Sequence, residues 1–437
     1  MKRVWILLLM LLAGCSSGLE ISSFFHTDNV DFSDVNDKNA TTVSVLLPLS
    51  GTWATTGEAF QNATLLALDE HPLAPVRLLF FDTKSTAEGT QNAYEWAVSQ
   101  NSNLILGPIF ADEFKALPSP SLMNQPVLGF TSDNTLLNGD RASMAVLIPA
   151  QIHEIVSQNC LSGKRQMAVI GPEGKTGEIV MNALEEALPK YPGMTLEKYA
   201  LYDANKPDMS EEIQKILPPF INPKKKNLTE KEKALLATPM EERLSFDSLL
   251  MFEDGTKLTQ VMSILAFYDV SPAVIPIYAL ASAKSVKDRS LNGLLMADLP
   301  ADTLFTQKYK KVFEKAPPRL ASLAYDAVGW IAREAEKGPV SLSTLRKSDD
   351  YQGVDGLVRL NSDGTNKRGL RLVRKTSRGV TEVVPAPSTL TDNDFMGDLM
   401  EDSMIVTESI GSTSESPLMS DEFQKGSEQS IPDVGLL

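Results

Sequence analysis

The feature that most constrains this chain is a repeated alternation of continuous apolar runs with amphipathic helical stretches. The run TTVSVLLPLSG precedes the helical pattern GEAFQNATLLALDE, and VRLLFFDTKS precedes TAEGTQNAYEWAVSQ. Apolar runs without polar alternation are typical of parallel strands that are buried on both faces, with the intervening helices as cover. The sequence therefore predicts βαβ units around a parallel sheet, beginning near residue 41.

The same rhythm restarts after residue 148 with RQMAVIGPEG and TGEIVMNALEEALPKY, which predicts a second lobe. We expect an α/β fold of two doubly wound parallel-sheet lobes with a central cleft, spanning residues 41–387. Lobe 1 is expected to comprise about 41–148 and 280–338, and lobe 2 about 149–279 and 339–387. The turn Asn361-Ser362-Asp363-Gly364 predicts a late hairpin.

The segment 218–247 interrupts this rhythm. It carries Lys224, Lys225, Lys226, Lys231, Lys233 and Arg243 among four glutamates. Segments of this length between regular elements are usually functional or disordered. Two interpretations therefore stand for this insert: a solvated surface excursion, or an element that binds a partner.

The N-terminus predicts export. Lys2 and Arg3 precede the apolar run Val4–Leu12, which is too short for a permanent membrane span and fits a signal peptide over residues 1–14. Leu12-Ala13-Gly14-Cys15 resembles a bacterial lipobox, which implies cleavage before Cys15 and lipidation of that residue. An ordinary signal peptide with a chance cysteine is the alternative. The polar, aperiodic residues 15–40 that follow are predicted to form a flexible tether.

Charge is unevenly distributed along the chain. The formal net charge is −15, and residues 388–437 contribute eleven acids and one base, hence −10. This tail lacks apolar periodicity and is predicted to be disordered. The remaining charge of about −5 argues against nucleic acid as the main partner, because phosphate binding needs clustered lysine and arginine.

Motifs for catalysis or for a metal do not emerge from the sequence. His26, His71 and His153 are not spaced with cysteines or acids as metal ligands are. Gly174-Lys175-Thr176 follows a predicted strand, but a phosphate loop needs a glycine five positions before Gly174, where Val169 stands. We therefore expect no enzymatic activity, no cofactor and no metal.

The order of these elements resembles the type I periplasmic-binding-protein fold of the Leu/Ile/Val-binding-like group. The resemblance rests on VLLPLSG (45–51), the stretch 80–108, PVLGFTSD (126–133), 317–332 and 353–373. Receptors of this group hold a ligand's carboxylate and amine in the cleft with hydroxyls, backbone N–H groups and an acid. The matching cleft-lining positions are Ser50, Gly51, Pro108, Ile109, Thr131, Ser132, Tyr202 and Glu253.

Within that group the chain most resembles the penicillin-binding protein activators, on LILGPIFADEF, FDSLLMFEDG and RLASLAYDA. This resemblance implies a non-catalytic lipoprotein that docks on a bifunctional peptidoglycan synthase and stimulates its cross-linking activity. It implies the periplasmic face of the outer membrane, with the inner membrane as the alternative. Enteric activators carry a further N-terminal helical-repeat domain where this chain has a tether.

A solute receptor of an ABC transporter for amino acids or similar small ligands is the rival interpretation. Ser50, Thr131 and Ser132 retain hydroxyls that such a receptor would use. The turn after the third strand carries Ile109 and Phe110 instead of small polar residues, so a polar ligand would lose a partner there. This turn favours contact with a protein.

Overall fold

The computed structural model describes residues 40–119 and 125–390. The predicted signal peptide, Cys15, all of the tether except residue 40, and the acidic tail from residue 391 onward lie outside these ranges. No helix in the two described ranges combines the length and the apolar character needed to cross a membrane.

Lobe 1 is built on a five-stranded, wholly parallel sheet in the order β2-β1-β3-β4-β5. Its strands are β1 (Thr41–Leu47), β2 (Val76–Asp82), β3 (Leu104–Leu106), β4 (Val127–Gly129) and β5 (Arg141–Ser143). Helices α1 (Ala54–Asp69), α2 (Ala87–Ser99) and α3 (Ala111–Ala116) connect them. Apart from Thr42, every residue of β1 is buried, as a central parallel strand requires.

Three later helices complete lobe 1: α10 (Thr303–Phe313), α11 (Ala321–Ala335) and α12 (Leu342–Lys347). Every residue of α11 except Arg333 is buried, and α11 packs along α1. Its alanines allow this close approach, Gly329 leaves room for the Tyr351 hydroxyl of the neighbouring small sheet, and Trp330 fills the interior. A helix that is apolar on nearly every side is one enclosed by its neighbours.

Lobe 2 is built on a seven-stranded sheet in the order β15-β14-β10-β9-β8-β6-β7. Its strands are β6 (Gln166–Pro172), β7 (Thr195–Tyr202), β8 (Ser248–Met251), β9 (Ile277–Ala279), β10 (Leu295–Asp298), β14 (Arg371–Thr376) and β15 (Gly379–Val384). The strands β6 to β10 are parallel, and β14 and β15 add antiparallel pairs at one edge. The main helices are α4 (Ile148–Leu161), α5 (Lys175–Ala187), α6 (Ser210–Gln214) and α9 (Gly255–Phe267).

A small antiparallel sheet lies at the junction of the lobes. It contains β11 (Tyr351–Gly353), β12 (Gly356–Leu360) and β13 (Asn366–Arg368). The predicted hairpin is confirmed, because β12 and β13 pair across the turn at 361–364. The Asn366 side-chain amide donates to the carbonyls of Ser143 and Ala145, where the chain leaves lobe 1.

Two of the expected lobe boundaries are wrong. Strand β10 pairs with β9 and β14, so residues 281–298 belong to lobe 2 and not to lobe 1. Residues 339–347 pack on lobe 1, where the Val340 N–H donates to the Thr41 hydroxyl and α12 lies against α11. An apolar strand fits either sheet equally well, and only its pairing decides which one it joins.

The insert 218–247 contains two short helices, α7 (Glu230–Ala237) and α8 (Met240–Arg243). A capping box between Thr229 and Glu232 starts α7. Neither helix contains a buried residue. The insert is therefore ordered into helices that contribute little to the core of lobe 2.

Candidate functional site

In parallel α/β sheets, ligands bind at the carboxyl ends of the strands, so these edges are the candidate site in both lobes. In lobe 1 the edge is organised by Asp82, the last residue of β2. Its carboxylate accepts hydrogen bonds from the Leu49 N–H (2.9 Å), the Ser50 N–H (3.1 Å) and the Ser50 hydroxyl (2.6 Å). The hydroxyl that a receptor would offer to a ligand is thus engaged within the loop.

Gly51, the second predicted position, is needed for packing. Its φ is +80°, and a Cβ there would lie 2.6 Å from the Lys84 carbonyl oxygen. The Ser85 hydroxyl donates to the Ser50 carbonyl and accepts from the Trp53 N–H. The loops that follow β1 and β2 are therefore held against each other.

The turn after β3 contributes apolar side chains. Pro108 and Ile109 are buried, with Ile109 only 5% exposed. Phe110 is half-buried, and its ring packs against exposed Trp53 with centroids 4.8 Å apart. Phe110 thus reaches across to the loop after β1, while the buried face of α3 begins at Glu113 and Phe114.

Glu113 was not singled out in the sequence, although it is the third residue of α3, three positions after Phe110, as in a capping box. Its carboxylate is buried and accepts a hydrogen bond from the Thr83 hydroxyl at 2.5 Å. Burial raises the pKa of Glu113, and the hydrogen bonds from Thr83 and from the backbone of the turn offset this only in part. The buried Glu113 carboxyl therefore links α3 to the residue that follows β2.

Thr131 and Ser132 follow β4. Thr131 is buried, and its hydroxyl accepts a hydrogen bond from the Asp133 N–H at 3.1 Å. Its carbonyl accepts from the Ser143 hydroxyl at 2.6 Å. Ser132 is exposed. Of the three predicted hydroxyls, those of Ser50 and Thr131 thus serve the fold of their own loops.

In lobe 2 the structure brings Tyr202 and Glu253 together from the ends of β7 and β8. The Tyr202 hydroxyl donates to the Glu253 carboxylate at 2.6 Å. Burial and this carboxylate both raise the pKa of Tyr202. The acid that a receptor would present to an amine is therefore paired with a buried tyrosine.

Phe252 covers the adjacent strand end and was missed in the sequence. Its ring lies so close to Gly171 that a Cβ on that glycine would be 2.3 Å from it. Phe252 itself is buried. Its partner on β6 could be found only from strand pairing, because the two residues are far apart in sequence.

One ion pair joins the two cleft edges. Lys175, at the start of α5 in lobe 2, contacts the Asp133 carboxylate of lobe 1. Burial acts to raise the pKa of Asp133, but hydrogen bonds from Lys175 and Thr135 outweigh it and lower the pKa. Lys175 belongs to the Gly174-Lys175-Thr176 sequence that lacks the glycine spacing of a phosphate loop. In the structure this lysine links the two lobes.

Three open surface hollows in the described part of the chain measure about 360, 790 and 450 Å³, and none of the predicted cleft residues lines any of these three. Among residues 40–119 and 125–390, no group of three or more His, Cys, Asp or Glu side chains is placed to hold a metal ion. The cleft edges present apolar rings and internally paired polar groups.

The sequence matches the model of a family described as "LppC putative lipoprotein" over residues 23–361. This chain belongs to the LppC family. No curated protein matches its sequence. The LppC assignment agrees with the resemblance to penicillin-binding protein activators drawn from LILGPIFADEF and its companions.

Solved structures similar to this LppC protein have the type I periplasmic-binding-protein fold, which confirms the expected fold class. One is a "putative branched-chain amino acid ABC transporter" from Rhodospirillum rubrum, with 16% identity, a TM-score of 0.62, and coverage of 79% of this chain and 100% of that one. Another is the binding protein LivJ from Streptococcus pneumoniae in complex with isoleucine, with 14% identity, a TM-score of 0.52, and coverage of 80% and 100%.

A third is the C-domain of LpoA from Haemophilus influenzae, described as a regulator of PBP1A. It has 17% identity, a TM-score of 0.56, and coverage of 79% of this chain and 100% of that domain. The LppC chain spans 59% of full-length LpoA from the same organism. At sequence identities of 14 to 17%, the similarity of these structures to the LppC chain establishes a shared fold and nothing further.

We predict that Glu113→Gln flattens the pH dependence of stability. A carboxyl whose pKa is raised by folding stabilises most below its ordinary pKa near 4, and this contribution is lost as pH rises through the raised value. Glutamine stays neutral, so the change in unfolding free energy between pH 4 and 8 should shrink by an amount on the order of 1 kcal/mol. Urea unfolding at several pH values measures this change in the unfolding free energy. Exposed Glu95→Gln is the control, and an unchanged pH profile for Glu113→Gln contradicts the assignment.

We predict that Lys175→Glu weakens the contact between the lobes, because it sets two carboxylates against each other at the cleft mouth. The lysine side chain is 52% exposed, so the pair contributes no more than about 1 kcal/mol. Small-angle X-ray scattering at low salt should give a larger radius of gyration for the variant. Lys287→Glu, on the surface of lobe 2, makes the same charge change. Superimposable scattering curves for Lys175→Glu and wild type would refute the role of this pair.

Proposed function

We propose that this LppC-family chain is a non-enzymatic envelope lipoprotein that binds and stimulates a bifunctional peptidoglycan synthase. The observation that carries the proposal is the internal use of the cleft's polar groups. Asp82 engages the Ser50 hydroxyl, Thr131 is buried, and Glu253 is paired with Tyr202. A fold whose cleft groups already have partners is better suited to protein contact than to holding a small polar ligand.

The likeness to LpoA supports the same function. LpoA is described as a regulator of PBP1A, and its C-domain is covered completely by this chain. In the proposal, the bilobed domain of the LppC protein is the part that contacts the synthase.

Anchoring completes the proposal. Cleavage before Cys15 and lipidation of that residue would attach the chain to the periplasmic face of the outer membrane, with the inner membrane as the alternative. Each buried acyl CH₂ contributes about 0.8 kcal/mol, so several chains on one cysteine hold a protein firmly. Residues 16–40 would then let the bilobed domain move relative to its anchor.

A solute receptor is the second candidate. The similarity to LivJ in complex with isoleucine favours it, as does the exposed hydroxyl-bearing Ser132 beside the cleft. Against it stand Ile109, Phe252 and the Trp53–Phe110 contact, which place apolar side chains at both edges. The two candidates differ in whether the cleft accepts a small ligand.

We expect the purified mature chain to bind the organism's bifunctional synthase and to raise its cross-linking rate. The assay combines synthase, lipid-linked precursor and increasing amounts of the LppC protein, and it measures cross-linked and uncross-linked products separately. Heat-denatured protein is the control for non-specific effects. Absence of both binding and rate change would eliminate the proposed function.

A further inference from the structure

One face of α9 is largely exposed over residues 260–267. The helix buries Leu258, Val261, Met262 and Leu265 against the core of lobe 2. Its opposite side presents Gln260, Ser263, Ile264 and Phe267, which fall at positions i, i+3, i+4 and i+7 and therefore form one stripe. Gln260, Ser263 and Phe267 are exposed, and Ile264 is half-buried.

Two cavities flank this stripe. One of about 360 Å³ lies between α9 and residues 207–210, and one of about 790 Å³ lies between α9 and the loops at 270–276 and 290–295. Ser263 lines both cavities and so forms the ridge between them. Hollows on either side of a ridge can receive side chains that project from a partner protein.

An aromatic cluster ends the stripe. Phe267 is 60% exposed and Phe220, near the start of the insert, is 48% exposed. Their rings stack with centroids 4.6 Å apart, and Tyr268 meets both rings edge-on. Contiguous exposed apolar surface of this kind marks interaction sites, and aromatic residues are enriched among those that carry binding energy.

Positive charge lies directly after Phe220 in the insert. Lys225 pairs with Glu232, and Lys233 pairs with Glu230. Lys224, Lys226 and Lys231 have no ion-pair partner within the described part of the chain, and all three are exposed. In a protein with a net charge of −15 this local excess of cations is complementary to an acidic surface.

Helix α7 adds incompletely covered apolar side chains to this surface. It has eight residues and buries none of them, and Leu235 and Leu236 remain half-exposed. Isolated helices of this length are marginal in water, and most helices are stabilised by packing of an apolar face. The apolar side of α7 is therefore only partly covered by the rest of the described chain.

We infer that an acidic protein segment with projecting apolar side chains docks on the α9–insert surface, defined as residues 218–237, the exposed stripe of α9 and its two cavities. The identification of this segment as part of the synthase rests on the proposed function. The cavities favour a protein over an anionic membrane, because lipid headgroups attract lysines without needing defined hollows. Three unpaired lysines are also too few for a nucleic-acid surface.

The test compares two variants of the full mature chain for binding to the purified synthase by surface plasmon resonance. One variant is Phe220→Ser with Phe267→Ser, and the other is Lys224→Glu, Lys226→Glu and Lys231→Glu. The matched controls are Trp96→Ser, an aromatic residue of lobe 1 that is 64% exposed, and the triple Lys287→Glu, Lys311→Glu and Lys347→Glu. Circular dichroism and thermal unfolding confirm that every variant folds.

Both surface variants should weaken binding about tenfold or more, while the controls bind as wild type does. Raising salt from 50 to 300 mM should weaken wild-type binding more than binding of the lysine variant, because screening acts on the charges that the variant lacks. Equal binding by wild type and both variants overturns the surface assignment and leaves the proposed function standing.

Failure of wild type to bind the synthase overturns the proposed function and removes the synthase as partner. Two further measurements separate other occupants. If vesicles with anionic lipid bind wild type but not the surface variants, and synthase binding is unchanged, the surface faces a membrane and the inference is wrong. If the variants abolish self-association measured by light scattering, with synthase binding intact, the occupant is a second copy and the inference is likewise wrong.

Discussion

In parallel sheets that are covered on both faces, ligands bind at the carboxyl ends of the strands, and the rest of this structure depends on how the polar groups at those ends are satisfied. In lobe 1, the Asp82 carboxylate accepts three hydrogen bonds from the loop after β1. In lobe 2, the Tyr202–Glu253 pair and the Phe252 ring occupy the corresponding edge. A polar group used in this way is less available to a ligand, since the ligand must compete with the hydrogen bond that the group already makes.

The cleft edges and the outer surface of lobe 2 therefore have opposite properties. The edges hold buried or internally paired groups, and Lys175 joins them to each other through Asp133. The α9–insert surface instead leaves two aromatic rings and three lysines without a cover in the described chain. In this account, a binding fold keeps its two-lobed frame while its contact surface moves from the cleft to the outside of one lobe.

The sequence predicted the two-lobed frame because continuous apolar strands and amphipathic helices are local patterns. It failed for β10, whose apolar run carries no sign of which sheet it joins, and for residues 339–347, whose packing on lobe 1 is long-range. At the cleft, the apolar turn at Ile109 was found because it departs from what a receptor offers. The Lys175–Asp133 pair, the Phe252–Gly171 contact and the Ser50–Asp82 bond were missed because each joins residues that are distant along the chain.

Whether this cleft is closed to small polar ligands is measured by calorimetric titration of the mature chain with each of the twenty amino acids. We expect no heat of binding and no change in melting temperature with any of them. A ligand present at 100 times its Kd would add about 2.7 kcal/mol to the unfolding free energy. A stabilisation of that size, lost on substitution of Thr131 or Glu253, would show that the cleft is open to such ligands and that the chain is a receptor.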